Sequence, residues 1–155
     1  MRKKLALITA VALVTGVVAA FALSSPATAG TTLTVIEHAV TDHVTDVGNP
    51  GLGRGDLLTF HNPIYDSTDT TRVGRDQGSC IRVTGLLPHH RGSWECEWTT
   101  ILENGDSSIT VESPFFDTGL GTGAITGGTG TYAGAGGSLD LNCGETECTF
   151  TFNLL

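Results

Sequence analysis

Two polar residues interrupt apolar faces of the sequence, and both are of types that can perform acid–base chemistry or anchor a small ligand. Glu37 has the strand parity of the apolar residues in "LTVIEHA", and Asn62 has that of the apolar residues in "DLLTFHNPIY". Burial without a hydrogen-bond partner is costly for either group. Each is therefore a satisfied structural group, a residue at a barrel end, or one of the few polar groups that converge in an apolar pocket. A buried Glu with a raised pKa can act as acid or base, so Glu37 and Asn62 are the catalytic candidates.

Large apolar residues on the neighbouring segments supply candidates for the wall of a cavity. The candidates for ligand binding or for packing are Phe60, Ile64, Trp94 and Trp98. Parity alone leaves open which face of each strand points inward. The chain contains no nucleophile-elbow pattern, so nothing favours Ser–His–Asp catalysis.

The glycine-rich run "AITGGTGTYAGAGGSLDL" raises the question of a phosphate-binding loop. A P-loop needs a Lys followed by Ser or Thr, and no lysine occurs after Lys4. The stretch "GLGTGA" matches a dinucleotide fingerprint by its letters, but no helical pattern follows it. The glycines are interpreted as a sharp corner between strands, and no nucleotide cofactor is expected.

The histidines do not form a metal-binding pattern. His89 and His90 are adjacent and point in opposite directions along an extended chain, and His38 and His43 fall on opposite faces of a straight strand. We expect surface or turn histidines and no metal site.

The first segment has the organisation of a secretory signal peptide. Arg2, Lys3 and Lys4 precede an almost wholly apolar run from Leu5 to Leu23, and "ATA" ending at Ala29 offers a cleavage site. This predicts a signal peptide over 1–29, a single domain over 30–155 and an extracellular product. The alternative is an uncleaved membrane anchor, since the apolar run is about long enough to span a bilayer.

After cleavage the chain is strongly acidic. Five basic residues then face 16 acidic ones, a formal charge of about −11. Such a surface repels nucleic acid and anionic lipid, so neither is expected as a partner, and no later segment is expected to insert in a membrane.

The mature chain contains no segment with helical periodicity, and short alternating runs are separated by Gly, Pro, Asn and Asp. About eight strands with hairpin-length connections predict an all-β, closed antiparallel barrel or a sandwich. "ENGD" is typical of a type I′ hairpin turn. The predicted strands are Thr32–Thr41, Asp56–Tyr65, Gly78–Thr84, Ser93–Glu103, Ser107–Ser113, Gly123–Thr126, Gly137–Cys143 and Cys148–Leu154, with a further short one near Thr71–Gly74.

Strand register predicts how the four cysteines pair. A turn centred between Glu145 and Thr146 places Cys143 opposite Cys148, and a hairpin through "LLPHHRG" places Cys80 opposite Cys96. We therefore expect the disulfides Cys80–Cys96 and Cys143–Cys148, consistent with an exported protein.

Five motifs carry a family resemblance. "GDLLTFHNPIYD", "VGRDQGSC", "WECEW", "ITVESPF" and "AITGGTGTYAG" occur in the order found in bacterial members of the allene oxide cyclase-like barrel superfamily, which also contains the dirigent proteins. The resemblance covers roughly Leu33 to Phe152. It implies an eight-stranded antiparallel barrel with an apolar cavity, no cofactor and a homotrimer.

The resemblance also implies a type of activity. Allene oxide cyclases close a ring in a fatty-acid epoxide and dirigent proteins steer phenolic intermediates, in both cases mainly by restricting conformation. Asn62 matches the cyclase Asn that holds a water, Cys80 matches a Cys that crowds the substrate, and Glu37 resembles the Glu of the first strand. Two departures stand against identical chemistry: a bridged Cys80 offers no thiol, and an arginine common in the family is missing from the segment Gly134–Gly137.

These observations predict a secreted, disulfide-stapled barrel that binds a small hydrophobic molecule and steers its isomerisation or cyclisation. The alternative is a non-catalytic carrier or a structural, surface-interaction protein on the same barrel, since eight-stranded barrels can be filled by their own side chains.

Overall fold

The computed structural model describes residues 30–85, 92–102 and 105–155. The predicted signal peptide over 1–29, the His89–His90 pair and the central Asn of the "ENGD" turn lie outside the described residues. Within the described part of the chain, no helix combines the length and the apolar character needed to cross a membrane.

The described chain forms one sheet of antiparallel strands that closes on itself. Alternation of apolar and polar residues gives each strand one face for the interior and one for solvent. The strands are β1 (Thr31–His38), β2 (His43–Thr45), β3 (Leu57–Asp66), β4 (Arg72–Arg82), β5 (Ser93–Leu102), β6 (Ser107–Phe116), β7 (Leu120–Thr129), β8 (Gly137–Cys143) and β9 (Glu147–Leu154).

Strand β1 closes the barrel by pairing on both of its edges. It forms a long ladder with β9, from Thr31 opposite Leu154 to His38 opposite Glu147. With β3 it shares only three register partners, which end at Glu37 opposite Ile64. The short strand β2 then pairs with the start of β3, beyond the point where β1 has ended. Strands β1 and β3–β9 form the closed barrel, and β2 is an addition to the edge of β3. The predicted eight-stranded antiparallel barrel is therefore confirmed, and the sandwich alternative is wrong.

The strand boundaries differ from several predictions. Strand β1 ends at His38 and not at Thr41, and β6 continues past Ser113 to Phe116. The segment near Thr71–Gly74 is not separate but forms the start of β4, with Val73 at an irregularity in the ladder with β3. Strand β7 is longer than Gly123–Thr126, because its glycine-rich sequence weakens the signal without preventing pairing. Strand β2 is fully exposed and has only three residues, so no apolar alternation marks it.

The glycine-rich run forms β7, a 3₁₀ turn over Gly130–Tyr132 and the start of β8. At Gly137 the backbone has φ 134°, and an added Cβ would lie 2.0 Å from the carbonyl oxygen of Asn153. Only glycine allows the corner and the close approach of β9 at this position.

Both predicted disulfides are present. Cys80 bonds to Cys96 across β4 and β5, and Cys143 bonds to Cys148 across β8 and β9. The described residues include no free cysteine. The bridges therefore fix two hairpins whose inward faces meet inside the barrel.

The structure also settles which faces point inward. Along β3 the inward side chains are Leu58, Phe60, Asn62 and Ile64, and Asn62 and Ile64 are fully buried. The apolar core that they join consists chiefly of Val35, Trp94, Trp98, Leu102, Ile109, Val111, Ile125, Leu139, Leu141, Phe150, Phe152 and the Cys80–Cys96 bridge.

Candidate functional site

A cavity opens into the barrel between the two disulfides. Its volume is about 70 Å³. This space accommodates about two water molecules, or one end of a larger ligand. Glu37 and Asp42 are its two acidic lining residues. Its apolar wall consists of Leu58, Phe60, Trp98, Phe115, Leu141, Phe150 and both cystines.

Asn62 organises the polar side of this cavity. Its Nδ2 donates to Glu37 Oε1 at 2.6 Å and to Asp42 Oδ1 at 2.6 Å. Its Oδ1 accepts from the backbone N–H groups of Val40 and Thr41, at 3.1 and 2.9 Å. Both amide hydrogens and both acceptor lone pairs of Asn62 are thus engaged, and its side chain is fully buried.

The segment after β1 is tied to β3, and this places Asp42 at the cavity. Thr41 Oγ1 donates to the carbonyl oxygen of His61 at 2.8 Å and accepts from the His61 N–H at 2.9 Å. The N–H of Ala39 donates to the Thr146 carbonyl at 2.8 Å. We call residues 39–42 the strap, because it crosses from β1 to β2 beside Asn62.

Asp76 adds a third carboxyl group behind the cavity. It lies on β4 directly opposite Asn62 on β3 and Thr100 on β5, and it is fully buried. Neither of its oxygens has a donor within the described residues, and Thr100 Oγ1 is also unpartnered. Its interaction with the Glu37 carboxyl becomes a hydrogen bond only when a proton lies between them, because two ionised carboxylates are both acceptors.

Burial sets the protonation of this pair. Desolvation raises the pKa of Asp76 to about 9, and the charge of Glu37 adds to the effect. Burial also raises the pKa of Glu37, although the hydrogen bond from Asn62 opposes the shift, and the charge of Asp42 adds to the increase. Asp76 therefore holds a proton at neutral pH and can donate it to Glu37.

No model of a protein family matches the sequence. Among solved structures, pyocyanin demethylase superposes with a TM-score of 0.69 and 30% identity, over 81% of this chain and 100% of that chain. At this identity and coverage, the chain belongs to the same family as pyocyanin demethylase. Two pterocarpan synthase dirigent proteins, GePTS1 and PsPTS1, superpose with TM-scores of 0.63 and 0.64 at 16% identity, over 81% of this chain and 82% and 92% of theirs. At that identity the likeness shows the fold alone.

The candidates for ligand binding fall into two groups, those that line the cavity and those that do not. Phe60, Cys80 and Trp98 line the cavity. Ile64 is fully buried next to Glu37 on the neighbouring strand and is not part of the cavity wall. Trp94 is likewise outside the wall and packs against a buried guanidinium group.

The cavity depends on a glycine opposite Trp98. Gly78 is the register partner of Trp98, and an added Cβ on Gly78 would lie 2.4 Å from the Cβ of Trp98. The absent side chain leaves space for the indole ring, which also packs at 5.8 Å from the ring of Phe150.

Two acidic residues of the site escaped the sequence analysis. Asp76 has the same parity as Cys80 on β4, so an inward-facing disulfide could have identified it. Asp42 lies in the strap, where no periodicity exists, and its position depends on the hydrogen bond from Asn62.

A second buried polar group in the barrel is fully paired. The guanidinium group of Arg82 binds both oxygens of Asp117, donates from Nε to the Thr84 carbonyl at 2.7 Å and lies 5.0 Å from the Trp94 ring centre. Backbone N–H groups of the neighbouring loop lower the pKa of the nearby Asp56. Asp117 therefore neutralises the charge of Arg82. Arg82 is not among the residues that line the cavity.

One group of potential metal ligands occurs among the described residues. His38, Asp69 and Glu147 place ligand atoms within 4.8 Å of one another. His38 Nε2 hydrogen-bonds to Asp69 at 2.8 Å and its ring stacks on Tyr65 at 4.5 Å. Because His38 follows Glu37 in β1, it faces outward, and the group is a surface cluster on the outside of the barrel.

Proposed function

We propose that the protein is exported and that its barrel binds a small hydrophobic molecule, whose isomerisation or cyclisation it steers without a cofactor. The observation that carries this proposal is an apolar cavity in which Glu37 and Asp42 are held by one saturated asparagine. A concave, mainly apolar surface with a few oriented polar groups is the usual form of a small-molecule site.

The mechanism combines confinement with proton transfer. The rings of Phe60, Trp98 and Phe150 restrict the conformations of the bound molecule, which favours one geometry of reaction. Glu37 is the candidate catalytic residue, since its carboxyl group lines the cavity and burial raises its pKa, which is the direction expected of a carboxyl group that acts as acid or base. Asp76, whose pKa burial raises to about 9, keeps its proton and donates a hydrogen bond to Glu37 from behind the cavity.

Asn62 is a positioning residue in this scheme. Because all its hydrogen-bonding groups are engaged by the protein, it orients Glu37 and Asp42 instead of binding a substrate-side water itself. This refines the direct role that the cyclase resemblance implies for Asn62.

The comparisons support conversion of small organic molecules. One neighbour is named for the demethylation of pyocyanin and two for pterocarpan synthesis. Export is supported by the two disulfides, which persist in oxidising compartments. Assembly as a homotrimer stays a prediction of the family resemblance.

The second candidate function is a non-catalytic carrier or a structural protein on the same barrel. The small cavity favours it, because about 70 Å³ is well below the range of about 300–1,000 Å³ that is typical of ligand pockets. A saturated Asn62 has the same form as a purely structural hydrogen-bond centre.

Native mass spectrometry of the exported protein, followed by extraction, separates these functions. A co-purifying hydrophobic compound would supply the substrate for a turnover assay. In that assay Glu37→Gln is expected to lower turnover by about 100-fold or more, with the free energy of unfolding nearly unchanged. Glu97→Gln, on the outer face of β5, is the matched control and should keep wild-type turnover.

Two results would contradict the catalytic proposal. An empty protein that binds no member of a panel of hydrophobic probes would indicate a filled, structural barrel. A bound compound that leaves the protein chemically unchanged in both wild type and Glu37→Gln would indicate a carrier.

A further inference from the structure

Carboxyl groups line the cavity, and its lining contains no basic side chain of the described residues to balance them. Glu37 and Asp42 line it and Asp76 lies behind Glu37, whereas no Arg, Lys or His of the described residues belongs to the lining. The buried guanidinium of Arg82 is committed to Asp117. With a proton on Asp76, the carboxyl groups of Glu37 and Asp42 still face the cavity and have no basic partner among its described lining residues.

Glu37 and Asp42 line the cavity and keep acceptor positions that the described protein groups do not fill. Within the described residues, the hydrogen bonds that Glu37 and Asp42 accept from a nitrogen donor come from Asn62, one to each. A carboxylate has about four acceptor positions, so most of them are left for water or a ligand. A purely hydrocarbon ligand would displace that water without replacing its hydrogen bonds, and this desolvation is unfavourable.

The two carboxylates also converge. Each has an oxygen 2.6 Å from the same Asn62 nitrogen, so these two oxygens are no more than about 5 Å apart. A single small group with several N–H donors can contact both, and charge-assisted hydrogen bonds of this kind are roughly twice as strong as neutral ones. An anionic head group would instead meet like charge in a partly desolvated site.

We infer that the molecule bound by this barrel carries a positively charged nitrogen on a small apolar body, with the nitrogen against Glu37 and Asp42 and the apolar part against Phe60, Trp98 and Phe150. This inference rests on the proposed binding function and specifies its ligand. It disfavours free fatty acids and other carboxylates, which otherwise match the apolar wall.

A matched probe series tests the charge preference. Benzylammonium, benzyl alcohol, toluene and benzoate share one aromatic body and differ in charge and donors. Their affinities for the exported protein are measured by NMR titration at pH 7 and physiological ionic strength, with the resonances of Trp98 and Phe60 reporting on the cavity. Benzylammonium is expected to bind at least about tenfold more tightly than toluene, and benzoate is expected not to bind.

Isosteric variants connect the preference to the two carboxyl groups. Asp42→Asn, in the exposed strap, and Glu37→Gln should each reduce benzylammonium affinity several-fold and leave toluene affinity unchanged. Glu97→Gln, an equally acidic position on the outer surface, should change neither affinity. Asp42→Asn, at an exposed position, tests the inference independently of Glu37→Gln.

The outcomes separate this inference from the function on which it rests. If toluene and benzyl alcohol bind as tightly as benzylammonium, or if the preference survives both variants, the charge inference is wrong while the cavity still binds ligands. If no probe shifts the Trp98 and Phe60 resonances, both the binding function and the inference are wrong. Equal loss of benzylammonium affinity in Glu97→Gln would reveal attraction by surface charge alone and would also overturn the inference.

Discussion

The barrel contains two buried polar networks of opposite character. Around Arg82, one cation meets Asp117 in a bidentate pair, a carbonyl oxygen and an aromatic face, so charge and hydrogen bonds are balanced. Around Glu37, two acidic residues, Glu37 and Asp42, share the amide nitrogen of Asn62, and both oxygens of a third, Asp76, have no donor among the described residues. A stable fold requires that buried charges and hydrogen-bonding groups are paired with one another. A network beside a cavity in which they are unpaired is typical of a ligand-binding site.

The strongest way to break the balanced network is Asp117→Asn. Arg82 would keep its buried charge without a carboxylate partner, and we expect the free energy of unfolding to fall by about 4 kcal/mol. Chemical denaturation measures this loss, with the exposed Asp106→Asn as control. A loss below about 1 kcal/mol would mean that the Arg82 pair is no more important than a surface ion pair.

Asn62→Ala should break the other network with a smaller loss, of about 3 kcal/mol, because it removes several buried hydrogen bonds at once. The strap would lose its attachment, so hydrogen exchange should accelerate at the amides of Val40 and Thr41. Asn142→Ala, on the exposed face of β8, is the control. Unchanged exchange in the strap would show that the contacts of Thr41 with His61 suffice to hold it.

The pH dependence of stability sharpens the contrast further. In the unfolded chain Asp76 loses its proton above about pH 4, whereas in the folded protein burial raises its pKa to about 9. Between these values the folded state binds more protons, so the free energy of unfolding should decrease as pH rises, by at most about 1.4 kcal/mol per pH unit.

Asp76→Asn removes this titration and should flatten the profile between pH 5 and pH 8. Denaturation at unit pH steps checks it, and Asp106→Asn should retain the wild-type slope. An identical slope in Asp76→Asn would show that the folded protein does not keep Asp76 protonated.

The sequence allowed prediction of those features that depend on local alternation and register. Both disulfides followed from placing cysteines opposite one another in hairpins. Parity placed Glu37 and Asn62 on the apolar faces of their strands, and the structure shows that these faces point inward. Closure of the barrel did not follow from local pattern, because it depends on the pairing of β1 with β3, which are joined through the strap and β2.

The site was predicted only in part for the same reason. Asp42 reaches the cavity through a hydrogen bond to Asn62 that spans 20 positions of sequence, and no local pattern encodes it. Asp76 lies in "GRDQGSC", where two glycines hide the apolar alternation that would have shown its face. Trp94 was a candidate for ligand binding or for packing, and it packs on Arg82, since large aromatic residues pack as readily on a guanidinium as on a ligand.

The short pairing between β1 and β3 affects how fast this edge of the barrel opens. The pairing of β1 with β3 comprises three register partners. The strap beside it is attached to β3 largely by hydrogen bonds that involve the side chains of Asn62 and Thr41. Elements with few contacts open at a small fraction of the global unfolding free energy. For the ligand proposed above, entry and release are therefore expected to follow local opening of this edge, so that residence time is set by the strap and not by the width of the cavity mouth.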